Sequence, residues 1–196
     1  MKRALLLLIP IITFAYTASA QDKTPRERLL ASAGNLGTSK VFKEAPVLSI
    51  DDPSAEMYRI SFMPTFRHPV KIRVEKHGKT YTLVAKVLSG SGDSDGLGHL
   101  RLTRHRTLTA RQWTRLRILL KAANFWNLDY LEPDPLPDKD GNISVCLDGS
   151  EWVLEGVRGG AFHAVNRYCP TSKPFIRVAL YLKALSRLRV ARADLF

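Results

Sequence analysis

Apolar and polar residues begin to alternate at Tyr58. Tyr58-Arg59-Ile60-Ser61-Phe62 predicts a strand that ends near Pro64, and Val70, Ile72 and Val74 mark one face of a second. His77-Gly78-Lys79 is a turn, and Tyr81 to Leu88 is the return strand of that hairpin. The glycine-rich run Ser89 to Gly98 follows, then an arginine-dense strand from His99 to Leu108. Thr109 suits the N-cap of a helix from Ala110 to about Leu128, whose Trp113, Leu116, Leu120 and Ala123 recur at helical spacing and face the core. A last helix, from about Pro174 to Val190, buries Val178, Leu182, Leu185 and Leu188.

Between the helices, Cys146 to Pro170 reads as a β-meander with Asp148-Gly149 and Gly159-Gly160 as two-residue turns. Those turns set a register. Val145 opposes Trp152 and Leu147 opposes Ser150; Trp152 opposes Arg167, Leu154 opposes Val165 and Gly156 opposes His163. Val145, Leu147, Trp152, Leu154 and Val165 then face the core, while Glu151, Val153, Glu155, Phe162, Ala164, Asn166 and Tyr168 make a half-polar face. Trp152 and Arg167 are assigned structural roles, with the guanidinium over the indole as a cation–π pair.

The fold class expected is α+β: antiparallel sheet of about seven strands with two main helices. Tyr81–Leu128 and Trp152–Val190 both run strand, strand, helix. Leu119-Leu120-Lys121-Ala122 and Tyr181-Leu182-Lys183-Ala184 occupy matching places, which hints at a degenerate duplication. The single domain spans 56–196, its halves 56–128 and 143–196 joined by an acidic connector, 129–142, stiffened by Pro133, Pro135 and Pro137. Residues 21–55 form an N-terminal arm: a short helix from Pro25 to about Ala33, then a loop from Gly34 to Ser39. No function is assigned to it.

Residues 1–20 carry Lys2-Arg3, the apolar run Ala4 to Ala15, and Ala18-Ser19-Ala20. This is the pattern of a secretory signal peptide, and cleavage near Ala20 exports the chain to the periplasm or beyond. Pro10 and the shortness of the run argue against a membrane anchor, and no later stretch approaches the about 20 apolar residues of a spanning helix. The 196-residue chain has a net charge of +12; loss of Lys2 and Arg3 lowers the basic count from 30 to 28 against 18 acids, leaving +10. Such a field attracts anionic partners. An exporting compartment favours pairing of the two cysteines, Cys146 and Cys169. The meander register opposes it, placing them two strands (about 10 Å) apart on opposite faces, whereas a disulfide needs Cα atoms within about 7 Å. Both outcomes stay open at this point.

Chemistry is excluded mostly by distance. Glu151 and Glu155 lie about 13 Å apart on a strand, too far for a glycosidase pair. His163 and Cys169 are about 20 Å apart by the same rise. The glycines at 90, 92, 96 and 98 precede a strand rather than the helix that a phosphate cradle requires. Asp93 and Asp95 are too few for calcium, and the loop starting at Asp138 meets Gly149 where a bidentate acid is needed. The five histidines do not cluster at ligand spacing. No catalytic residue, metal or cofactor is assigned.

The functional lead is a strand–helix unit that contains no acid: Arg101, Arg104, Arg106, Arg111, Arg115, Arg117 and Lys121. These residues predict docking of an anionic envelope polymer or an acidic protein. No aromatic ladder for base stacking is interleaved, so nucleic acid is disfavoured. A merely solvated helix face, or one neutralised by the acidic connector, competes with this reading. The expectation is therefore an exported, non-enzymatic binding protein. The alternative is an enzyme or enzyme inhibitor whose site is assembled from loops 89–98 and 129–142.

The run Asp148-Gly149-Ser150-Glu151-Trp152-Val153-Leu154-Glu155-Gly156, then Phe162-His163-Ala164-Val165-Asn166-Arg167 and Pro170, resembles a motif in a group of exported bacterial proteins of unassigned function. The Leu119–Leu128 segment with Phe125-Trp126 also suits that group. The resemblance covers about a third of the chain, departs at Phe162 and Cys169, and implies no activity.

Overall fold

The computed structural model describes residues 38–44, 54, 56–92, 96–131, 139–140 and 146–196. Six strands form one antiparallel sheet: β1 (Glu56–Pro64), β2 (Val70–His77), β3 (Thr80–Leu88), β4 (Leu100–Thr107), β5 (Ser150–Arg158) and β6 (Ala161–Tyr168), in the order β4-β3-β2-β1-β5-β6. The α+β class holds, with six strands described against the seven or so expected. The two strand–strand–helix units occupy opposite ends of this sheet, with β1 and β2 between them.

Alternation dictates the core. Tyr58, Ile60 and Phe62 of β1 pair with Val74, Ile72 and Val70 on one side and with Gly156, Leu154 and Trp152 on the other. This apolar face is covered by two helices, α2 (Ala110–Ala122) and α3 (Lys173–Ser186); a short helical turn, α1 (Thr38–Val41), precedes the sheet. Trp113, Leu116, Leu120 and Ala123 are buried, as are Val178, Leu182, Leu185 and Leu188. Thr109 caps α2 through a capping box with Gln112.

The meander is corrected on its first side. Trp152 opposes Arg167, Leu154 opposes Val165 and Gly156 opposes His163, as the second turn requires. On its other flank, however, Trp152 opposes Phe62. That edge of β5 is taken by β1 along its whole length, in place of the strand expected there. Leu147 is 80% exposed rather than in the core, and Val145 lies outside the described residues. The loop ahead of β5 is tied instead to the β1–β2 turn, the Gly149 carbonyl accepting from Thr65 N–H (3.1 Å) and Thr65 Oγ1 (2.8 Å).

The same correction resolves the cysteines. Cys146 and Cys169 are bridged, with Cα atoms 6.4 Å apart. Cys146 is not on a strand flanking β5, and Cys169 has left the β6 pleat with φ +49°, so neither the two-strand separation nor the opposite-face parity applies.

Both helices stop earlier than expected. Asn124 turns left-handed (φ 52°) after α2, and a 3-10 turn, Phe125–Asn127, follows. The break drives Phe125 into the core against Tyr58 and over Gly156, where an added Cβ would come within 2.8 Å of the Phe125 ring. Arg187 (φ 54°) ends α3 before Val190. Thr38 and Ser39, expected in a loop, begin α1. Residues 1–20 and the helix expected over Pro25 to Ala33 lie outside the described residues. Among those described, no helix is long and apolar enough to cross a membrane.

Candidate functional site

The basic residues named from the sequence separate into three sets. β4 is an edge strand, and its alternation turns Arg104 and Arg106 toward the end of α3. Their Nη1 groups donate to the Arg187 and Leu185 carbonyls, part of the group of acceptors that a helix C-terminus leaves unpaired and where positive charge is favoured. The guanidinium of Arg106 is held below its ordinary pKa by burial and by Arg187 and Arg104. Arg101 meets His68, Nη1 to Nε2 at 3.0 Å. The remaining four lie on α2: Arg111, Arg115 and Lys121 are exposed, and Arg117 Nε lies 3.5 Å from Glu56 Oε1.

Beside the C-terminal half of α2 is an open cavity of about 610 Å³. Ile118, Leu120, Phe125 and Trp126 give it apolar walls, and Arg117, Lys121 and Arg158 line it as well. Arg158 lies over the Trp126 ring at 4.9 Å. Tyr58 donates its hydroxyl to Glu56 (2.6 Å), and burial, then that carboxylate, push its pKa far up. Glu56 thereby serves both Tyr58 and Arg117. Arg158 is the cross-strand neighbour of Glu56, but among the described residues neither it nor Lys121 forms an ion pair within 4 Å. Arg158 escaped the sequence reading because it sits outside the acid-free run; its position at the end of β5, beside the Gly159-Gly160 turn, was the available signal.

The opposite sheet face carries a group of charges that sequence reasoning missed. Arg59 and Glu155 are cross-strand neighbours joined by two bonds, Nε to Oε2 at 2.6 Å and Nη2 to Oε1 at 2.8 Å. Lys86 Nζ donates to the carbonyls of Phe42 and Lys43, each at 2.9 Å, and lies 3.2 Å from Glu44. Glu44 is also 3.8 Å from Arg59. Lys71 sits 4.8 Å from the Phe42 ring centroid, and its pKa is lowered to about 8 by burial first and then by Arg59. A lysine so shifted is suited to proton transfer. Lys71 is only 2% exposed and Glu155 only 3%, with Phe42–Glu44 laid over the group, so these charges fasten the arm to the sheet and do not meet solvent-borne substrate.

The remaining residues named in the sequence have structural surroundings. Trp152 is fully buried between Phe62 and Phe196 and donates to the Leu195 carbonyl at 2.7 Å. Arg167 lies over Phe175 at 6.0 Å rather than over Trp152, and it donates to the Tyr130 and Asp129 carbonyls. Its head reaches across the end of β6 to hold the chain that follows α2. Burial holds His163 below the ordinary imidazole pKa, against the rings of Phe125 and Trp126. Glu151 accepts from Asn166 (2.6 Å), so the two glutamates serve different partners. Loop 89–98 continues the β3–β4 ladder through Ser89 to His99, Gly90 to Leu97 and Ser91 to Gly96. An added Cβ on Gly90 would lie 2.1 Å from the Gly96 oxygen, so only glycine permits that closure. Residues 93–95, 132–138 and 141–145 lie outside the described residues, and with them Asp93, Asp95 and most of the acidic connector. Among the described residues, no three His, Cys, Asp or Glu side chains gather where a metal could be held.

The fold and this basic face define an α+β protein with a cation-lined surface cavity. No protein-family model matches the chain, and no match is found among curated proteins.

Proposed function

We propose that this is an exported, non-enzymatic protein that binds an anionic envelope component through the exposed face of α2. Arg111, Arg115 and Lys121 supply the charge. The observation that carries the reading is the adjoining cavity, where Lys121 and Arg158 stand beside Ile118 and Trp126, and where the one carboxylate opposite Arg158, Glu56, is already engaged by Tyr58 and Arg117. A ligand with an anionic group on an apolar body satisfies both parts: cations take the charge, and the walls take the apolar portion. Anionic lipid headgroups and lipid-bearing envelope polymers have that character. The N-terminal signal-like segment and the Cys146–Cys169 bridge support export.

Co-sedimentation with phosphatidylglycerol-containing vesicles, against phosphatidylcholine alone, tests it. Binding to the anionic vesicles at low salt is expected, weakening as salt rises. It is expected to be lost in the double variant Lys121→Glu, Arg158→Glu. Equal sedimentation with both vesicle types, or no effect of the variant, would refute the reading.

A further inference from the structure

A second cavity, about 460 Å³, lies between β4 and the chain that follows α3. Four arginines line it: Arg67, Arg101, Arg104 and Arg189. The one acid in its lining is Asp194, in the 3-10 turn Arg192–Leu195 close to the C-terminus. Its carboxylate lies 3.4 Å from Arg67 Nε through Oδ1, while Oδ2 accepts from the Ala191 N–H at 3.2 Å.

His68 fixes the local charge. Its Nδ1 lies 3.0 Å from the Gly90 carbonyl, which can only accept, so Nδ1 carries the proton. Nε2, 3.0 Å from Arg101 Nη1, then accepts from the guanidinium. A neutral imidazole thus orients Arg101 and adds no charge. Four guanidinium groups face one carboxylate, a surplus of three positive charges. Val87, Leu188 and Val190 supply apolar wall beside them.

We propose that this notch binds a phosphate monoester dianion, and that Asp194 is a tethered carboxylate occupying part of the site in its absence. The surplus suits a doubly charged oxyanion better than a single carboxylate, and guanidinium groups match phosphate oxygens in pairs. The monoester is carried either on a lipid-like chain or on a soluble polar molecule. This goes beyond the proposed role of the α2 face and uses none of its residues, so either fails without the other.

The test is calorimetric titration of the whole protein with inorganic phosphate and with hexyl phosphate. Saturable binding is expected, weakened at least about tenfold in the variant Arg101→Ala, Arg189→Ala, both exposed side chains. Asp194→Asn keeps an oxygen to cap Ala191 but removes the charge, and is expected to bind phosphate about threefold to tenfold more tightly. A purely structural role for Asp194 predicts no such gain. Tighter binding of hexyl phosphate than of inorganic phosphate assigns the lipid-like source, and equal binding the soluble one; both uphold the site. Absence of binding by the wild type, unchanged binding in the double arginine variant, or no gain in Asp194→Asn overturns it.

Discussion

Burial opposes the charge on Lys71, whose pKa of about 8 lies below its ordinary 10.5. Between those two values the unfolded chain binds more protons than the native one, so this residue makes stability rise with pH across that window and is most costly below it. Lys71→Met removes the titration. The unfolding free energy of the wild type is expected to gain on that of the variant by up to about 3 kcal/mol as pH is raised from 8 toward 10.5. Urea denaturation at several pH values measures this, and a difference that stays constant with pH would refute it. At this scale the sequence was misleading for a simple reason. Arg59, Lys71, Lys86 and Glu155 alternate with apolar residues as solvent-facing positions do. The signal that their face is covered was present in Val153, Val157, Phe162 and Ala164, which share it and are not polar.

Elements were legible where their determinants are local. Thr109 and Gln112 are three residues apart and close their capping box without help from the rest of the fold. Thr109→Ala is expected to destabilise the protein by about 1 kcal/mol, with little change in the dependence on urea. A loss below a few tenths of a kcal/mol would show that tertiary packing alone holds the start of α2. The end of α2 was not legible. Nothing in Ala122-Ala123-Asn124-Phe125 forbids another helical turn; the chain breaks there because Phe125 has a place over Gly156 and beside Tyr58. The arginines of β4 are a similar case. Their alternation was visible, but that two of them cap the end of α3 depends on how that helix lies across the sheet.

At the scale of the molecule, hairpins could be read and strand order could not. Turns such as Gly159-Gly160 join neighbours in sequence, whereas β1 and β5 are joined by no turn and pair across about ninety residues. The assumed local partner for β5 therefore displaced the real one, and the apparent obstacle to the disulfide came with it. The bridge closes a loop with a sequence separation of 23 residues. Replacing both cysteines, Cys146→Ser with Cys169→Ser, is expected to cost about 3 kcal/mol of stability. Unfolded wild type is expected to show no reactive thiol until reductant is added; two thiols without reductant would contradict the bridge.

The basic α2 face was found from the sequence because it is a run without acids. Its cavity was not, because Tyr58 and Arg158 reach it from distant parts of the chain. The central claim is that this face takes up anionic ligand, and retention on an anionic matrix tests it most directly. The variant Arg111→Ala, Arg115→Ala, Lys121→Ala leaves Arg117 in place to neutralise Glu56. It is expected to elute at clearly lower salt than the wild type, with its thermal unfolding unchanged. Elution of the two proteins at the same salt would contradict the account.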